Sequence, residues 1–200
     1  MNIKFGKQEQ VALVEAPLSL SRELDQSVLR DLQSFVDFIP ALKVEEPFYF
    51  GFWRVVIREI EDQMILSEWD IQSELFRPWL EKSLILWREQ VRLLNAFNLS
   101  WVGVSPSDTL LVTEGILKSG VSGIFEGVRD KDNVDSSSGW ILYTQQDRDL
   151  EKPFEQIELY DLLSFFDVNL LRFLCLPDCW SFHVAGSGES HVWPEGLSSA

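Results

Sequence analysis

The chain has 200 residues, 46% of them hydrophobic and 12% aromatic, which excludes a disordered chain and allows one large domain or two small ones with real cores. Its net charge is −15, with 11 basic against 16 acidic residues in 1–100 and 6 against 16 in 101–200. A negative field concentrated in the second half argues against nucleic acid or an anionic membrane as partner and fits a basic protein.

No run approaches the ~18 apolar residues of a membrane span. The start, Met1 to Gly6, lacks the apolar core of a signal peptide, and Cys175 and Cys179 are too few for a disulfide framework. The expected address is the cytoplasm.

In chain order, Val11 to Val14 reads as a short strand ended by Pro17. Leu24, Val28, Leu32, Phe35, Val36 and Ile39 recur at helical spacing, predicting a helix over 20–39 that Pro40 stops. Residues 47–71, rich in Phe, Trp, Val and Ile, read as two or three strands with a turn at Glu61-Asp62-Gln63. A helix over 54–66 is the alternative, because Val56, Ile60 and Met64 also fit an i, i+4 row. Pro78 suits a helical first turn, and Leu80, Leu84, Trp87, Val91 and Leu94 carry that helix to Phe97. Arg77, Lys82, Arg88 and Arg92 give it the one locally basic surface of the chain.

Asn98 to Asp108 has linker composition, and the texture then changes to short strands and turns. Strands are expected at 110–112, 121–128, 140–144, 157–160 and 180–185. A helical turn is expected at 113–117, and a helix or helical turn at 161–174, ended by Pro177. Residues 129–138 and 145–153 read as charged loops. The fold class is therefore α+β: N-terminal helices packed with a small sheet over 1–100, then a mostly antiparallel sheet with one or two short helices over 101–185. Residues 186–200, rich in Gly, Ser and Pro, read as a flexible tail.

No residue pattern carries catalysis. Cys175, Cys179, His183 and His191 lie within 17 positions, a set zinc would accept, but they lack the tight two-residue cysteine knuckles of structural sites, and Pro177 and Trp180 interrupt them. The cysteines read as ordinary buried core residues. Ser187 and His191 share the tail segment without the Gly-x-Ser-x-Gly elbow that presents a nucleophile. Asp130, Asp132 and Asp135 lack the glycine and closing glutamate of a calcium loop, and no phosphate-binding glycine motif exists. Hence no catalytic residue, metal or cofactor is assigned. Of the eight tryptophans most belong in cores, while Trp101 and Trp193 border flexible composition and are candidate partner anchors.

The stretch Asp135-Ser136-Ser137-Ser138-Gly139-Trp140 runs from a polar turn into the strand-like Ile141-Leu142-Tyr143, with Arg129-Asp130 just upstream. From about Leu110 to Val184 the chain resembles the bacterial immunity-protein 33 family. Its pattern is a Val-containing strand, a Gly-containing strand ending in Arg-Glu, a loop, then Asp-Ser-Gly-Trp. Val112, Arg129-Asp130 and Ser138-Gly139-Trp140 stand at the matching places, and Ile157 to Leu162 and Leu174 to Pro177 look like the closing elements. Ser137 replaces the acid before Ser-Gly-Trp, and Gln145-Gln146-Asp147 stands where the family has Gly-Asp-Glu. The resemblance implies a non-enzymatic protein that binds a cognate toxin and masks it stoichiometrically, with Arg129, Ser138, Gly139 and Trp140 as the motif that holds the fold. The charge pattern adds a candidate binding surface, the loop carboxylates Asp130, Asp132, Asp135, Asp147, Asp149 and Glu151. An enzyme or ligand-binding protein with an unrecognised site, and a plain protein adaptor, are the competing readings.

Overall fold

The structure is a computed structural model describing residues 2–5, 10–14, 26–38, 42–50, 53–70, 73–102, 104–119, 124–130, 132–133, 135–165 and 168–194. It is α+β and divides into two compact units, Met1–Glu89 and Gln90–Ala200.

The first unit is built on a mixed sheet of six strands among the described residues: β1 (Asn2–Phe5), β2 (Gln10–Val14), β3 (Phe48–Phe50), β4 (Trp53–Ile60), β5 (Gln63–Asp70) and β6 (Leu75–Arg77). The order is β1-β2-β5-β4-β3, with β6 also on β5; β2 and β5 run parallel and the other pairs antiparallel. This sheet is larger than the small one expected, because β1 and β6 have little apolar pattern of their own. Residues 54–66 are strand and turn, so the helical alternative is overturned. Val55, Val56 and Ile57 are buried in succession, which a strand covered on both faces allows and a one-sided helix stripe does not. Glu61 and Asp62, both at positive φ, close the β4–β5 hairpin with the twist that two-residue turns favour.

Helix α1 (Gln26–Phe38) buries Val28, Leu32 and Val36, the spacing that predicted it; the expected positions 20–25 and the Pro40 stop lie outside the described residues. Helix α2 (Lys82–Phe97) starts four residues later than Pro78. The cause is Glu68 on β5, whose buried carboxylate accepts the N–H groups of Lys82 (3.0 Å) and Ser83 (3.1 Å) and so fixes the first turn there. Burial pushes the Glu68 carboxyl above its ordinary range, and the bonds from Ser83 and Lys82 pull it back. The division between the two units falls inside α2.

The second unit holds a six-stranded sheet of order β10-β7-β9-β8-β11-β12. Its strands are β7 (Thr109–Thr113), β8 (Phe125–Arg129), β9 (Trp140–Thr144), β10 (Phe154–Glu158), β11 (Trp180–Val184) and β12 (Ser190–Pro194). Among the described residues only β7 and β9 pair in parallel, so the sheet is mostly antiparallel. The expected start of the 121–128 strand lies outside the described residues. Among the described residues four short helices accompany the sheet where one or two were expected: α3 (Glu114–Ser119), α4 (Gln145–Asp149), α5 (Leu159–Phe165) and α6 (Val168–Leu171), the last continued by a 3-10 turn, Arg172–Cys175. The core sits on one face, where Phe182 stacks on Phe173 (4.6 Å between centroids) and meets Trp140 at 5.4 Å, with Leu110, Val112, Leu142, Leu162 and Leu174 fully buried around them. Residues 190–194, expected within a flexible tail, form β12, because the turn before it places Gly188 at positive φ and closes a hairpin onto β11. Residues 195–200 lie outside the described set.

Candidate functional site

The Arg129 and Ser-Gly-Trp residues converge at one end of the second sheet. Arg129 ends β8 and is only 5% exposed; its Nε donates to the Ser138 carbonyl (3.0 Å) and its Nη1 to the Leu176 carbonyl (2.6 Å). Nε also lies 3.2 Å from the carboxylate of Asp178. Burial loosens the guanidinium's hold on its proton, and the charges of Asp178 and Asp108 oppose that. Gly139 has φ of +76°, and a Cβ there would lie 2.9 Å from the carbonyl oxygen of Asp130. That same turn lets Asp130 N–H reach the Gly139 carbonyl. Ser136 and Ser138 hydroxyls both donate to the Thr109 carbonyl, at 2.9 and 2.8 Å, which ties the turn to the start of β7. Trp140 is fully buried and its indole N–H donates to the Leu174 carbonyl at 3.2 Å. Arg129, Ser138, Gly139 and Trp140 are all turned into the fold, while Asp178 is exposed.

The carboxylates are divided. Asp132, Asp135, Asp149 and Glu151 are exposed, and Asp130 is half-buried with its Oδ1 accepting the Asp132 N–H at 2.9 Å. Asp147 does not belong with them. The sequence groups it with Asp149 and Glu151 as a surface carboxylate, yet it is 8% exposed, and its Oδ2 accepts from the Thr113 hydroxyl (2.7 Å) and the Gly115 N–H (3.0 Å). Residues 145–149 are helix α4 instead of loop, with the Thr144 hydroxyl capping it by accepting the Asp147 N–H. Burial works against the Asp147 charge, but the bonds from Thr113, Thr144 and Gly115, with Lys152 nearby, outweigh it and hold the carboxyl below its usual range. Two open clefts flank it, of about 480 Å³ beside Lys118 and Gln146 and about 320 Å³ beside Tyr143 and Phe154.

The two acidic loops border the same strand. Gln156 in β10 donates through Nε2 to the Asp135 carbonyl (2.9 Å) and to Thr109 Oγ1 (3.1 Å), which ties the 130–138 loop to one end. At the other end Glu151 leads through Lys152 and Pro153 directly into Phe154. Glu155 and Glu158, absent from the expected contact carboxylates, add two exposed carboxylates on the strand, and Phe154 and Leu150 are exposed apolar neighbours. The strand expected at 157–160 starts three residues earlier, and Leu159 and Tyr160 open α5 instead; Phe-Glu-Gln is too acidic and polar to show apolar alternation.

The Cys and His residues stand apart. Cys175 is buried, its Sγ 3.1 Å from the Arg172 carbonyl, and burial pushes its thiol up to about 12. Cys179 is exposed. His183 on β11 faces Glu126 at 3.4 Å, and His191 opposite it on β12 lies 3.8 Å from Glu189. Among the described residues no group of three or more His, Cys, Asp or Glu is placed to hold a metal ion. Ser187 accepts the Glu189 N–H inside the hairpin turn. Trp101 is exposed and Trp193 half-buried on β12. Among the described residues no helix is long and apolar enough to cross a membrane.

A family model, the Imm33-like domain, matches residues 89–195, more than half the chain and nearly the whole second unit. The chain belongs to the Imm33-like domain family. No curated protein and no solved structure matches it. Within this Imm33-like domain, both the buried Arg129/Ser-Gly-Trp lock and the acidic border of β10 lie in the matched region.

Proposed function

We propose that the protein is an immunity protein that binds a cognate toxin protein and neutralises it by stoichiometric masking, without turnover, in the cytoplasm of the cell that makes both. The observation that carries this reading is membership of the Imm33-like family over residues 89–195. The geometry supports it in two ways. Arg129, Ser138, Gly139 and Trp140 serve the fold from inside, leaving the outside of the domain free for a partner. Asp130, Asp132, Asp135, Asp149 and Glu151 form its acidic contact surface, whose field attracts a basic partner and speeds encounter.

Co-expression tests the reading. The reading predicts a toxin-like reading frame beside this gene; expressed alone, it should arrest growth, and this protein should restore it. Purified toxin should lose activity in proportion to added protein, ending at an equimolar ratio. Failure to restore growth, or inactivation by far less than equimolar protein, would overturn masking in favour of no interaction or of catalysis.

A further inference from the structure

We infer that β10 is the docking strand of the second unit: an extended, basic segment of the protein partner pairs with its open edge and lengthens the sheet. This rests on the reading that the partner is a protein, and adds where and how it binds.

Strand β10 is the last strand on its side of the sheet, and among the described residues it pairs with β7 alone. An edge strand presents a row of backbone donors and acceptors that another chain can satisfy, which is why such edges are normally blunted. Among the described residues neither a proline within Phe154–Glu158 nor a bulge in the register with β7 blunts this one, and four of its five residues are exposed. The opposite edge, β12, is less open and ends in Pro194, which has no N–H to offer.

The charge selects the occupant. Glu155 and Glu158 on the strand, with Asp132 and Asp135 before β9 and Asp149, the last residue of α4, and Glu151 before β10, set six exposed carboxylates around the edge, against Lys152 and Arg148, the latter paired with Glu126. Two copies of this edge would repel one another, so a second copy of the chain is disfavoured. A segment with lysine or arginine at alternate positions is attracted on both sides. Phe154, 46% exposed, and Leu150, 59% exposed, stand at the same end and offer apolar contact for a neighbouring side chain of that segment. Backbone pairing supplies attachment in this mode, and the flanking side chains supply selection.

The test uses the full chain and a defined probe, a seven-residue capped peptide alternating Lys and Val. Hydrogen exchange with mass readout should slow in 154–158 when the peptide is added, and the peptide's affinity should fall as salt rises. The same peptide carrying N-methyl groups on alternate amides keeps its charge but cannot extend the ladder, so it should give no such protection. The variant E155K/E158K should bind the peptide about tenfold or more weakly while its thermal unfolding stays unchanged. Unchanged exchange at 154–158 with millimolar peptide, equal protection by the N-methylated peptide, or wild-type affinity in E155K/E158K would each overturn the proposal. Growth rescue from the toxin is a separate readout, so loss of the immunity reading and loss of the edge are told apart.

Discussion

The Oδ2 of Asp147 occupies the space that a side chain on Gly115 would need: a Cβ there would lie 2.1 Å from it. The carboxylate on α4 can therefore reach the backbone of α3 only because residue 115 is glycine. Gly115→Ala should displace the carboxylate, break its bonds to Thr113 and Gly115, and cost about 1–3 kcal/mol, as should Asp147→Ala. In the Asp147→Ala background the space is vacant, and Gly115→Ala should become neutral or gain up to ~1 kcal/mol from helix propensity. Denaturant unfolding of the four proteins measures the cycle. Additive losses would show that the two residues are not coupled.

The same carboxyl sets a pH dependence. Its folded-state value is depressed, so its stabilising share is complete above the ordinary aspartate value of ~3.9 and is lost as pH falls through the lower folded value. Asp147→Asn should differ most from wild type at neutral pH, and the two should converge as pH drops below about 4. A constant gap from neutral to strongly acid pH would remove the charge from the account.

Trp140 is the largest fully buried side chain, and its indole N–H meets the Leu174 carbonyl. Trp140→Ala should cost ~3–5 kcal/mol, a large part of a domain's stability. Trp140→Phe keeps most of the ring contact with Phe182 but orphans the Leu174 carbonyl, so a loss of about 1–3 kcal/mol is expected. Calorimetry orders the three proteins. If Trp140→Ala melts like wild type and loses the partner, the residue acts at an interface and its burial is unimportant.

The two cysteines should separate by reactivity. Cys179 is exposed, whereas burial raises the Cys175 thiol and its Sγ is held against the Arg172 carbonyl. Brief alkylation of the native protein at neutral pH should label Cys179 and leave Cys175 untouched until denaturant is added, as read by peptide mass. Rapid labelling of both would place Cys175 at the surface.

What was legible in the sequence followed from apolar periodicity. Val28, Leu32 and Val36 announced α1, while the aromatic and β-branched composition of 47–71 announced strands but left a helix over 54–66 open until the burial of Val55, Val56 and Ile57 in succession was seen. What was hidden lacked that signal. Helix α4 is Gln-Gln-Asp-Arg-Asp, a composition that reads as solvated loop, and it is held by the Thr144 cap and by the inward turn of Asp147. Strand β12 follows a Gly-Ser segment that resembles a tail until its glycine is seen to close a hairpin. The acidic residues showed a field, but which of them face water depended on tertiary bonds between residues 32 and 34 positions apart.

That separation gives the charge hypothesis a control. Asp132→Asn/Asp135→Asn and Asp149→Asn/Glu151→Gln each remove two exposed charges at one end of β10. Exposed charges steer encounter and are screened beyond ~8 Å at physiological salt, so each variant should associate more slowly with the toxin and show a flatter salt dependence. Dissociation should change less, because on the proposed reading these exposed side chains stand at the rim of the contact and stay solvated. Asp147→Asn removes one charge from the same stretch of sequence, but that carboxylate is enclosed by Thr113 and Gly115, so it should lower stability while leaving association nearly as fast as wild type. Stopped-flow association at low and high salt compares all four proteins. Equal rates throughout would discard steering by the loops and leave the backbone edge of β10, with Phe154 and Leu150, as the remaining means of attachment.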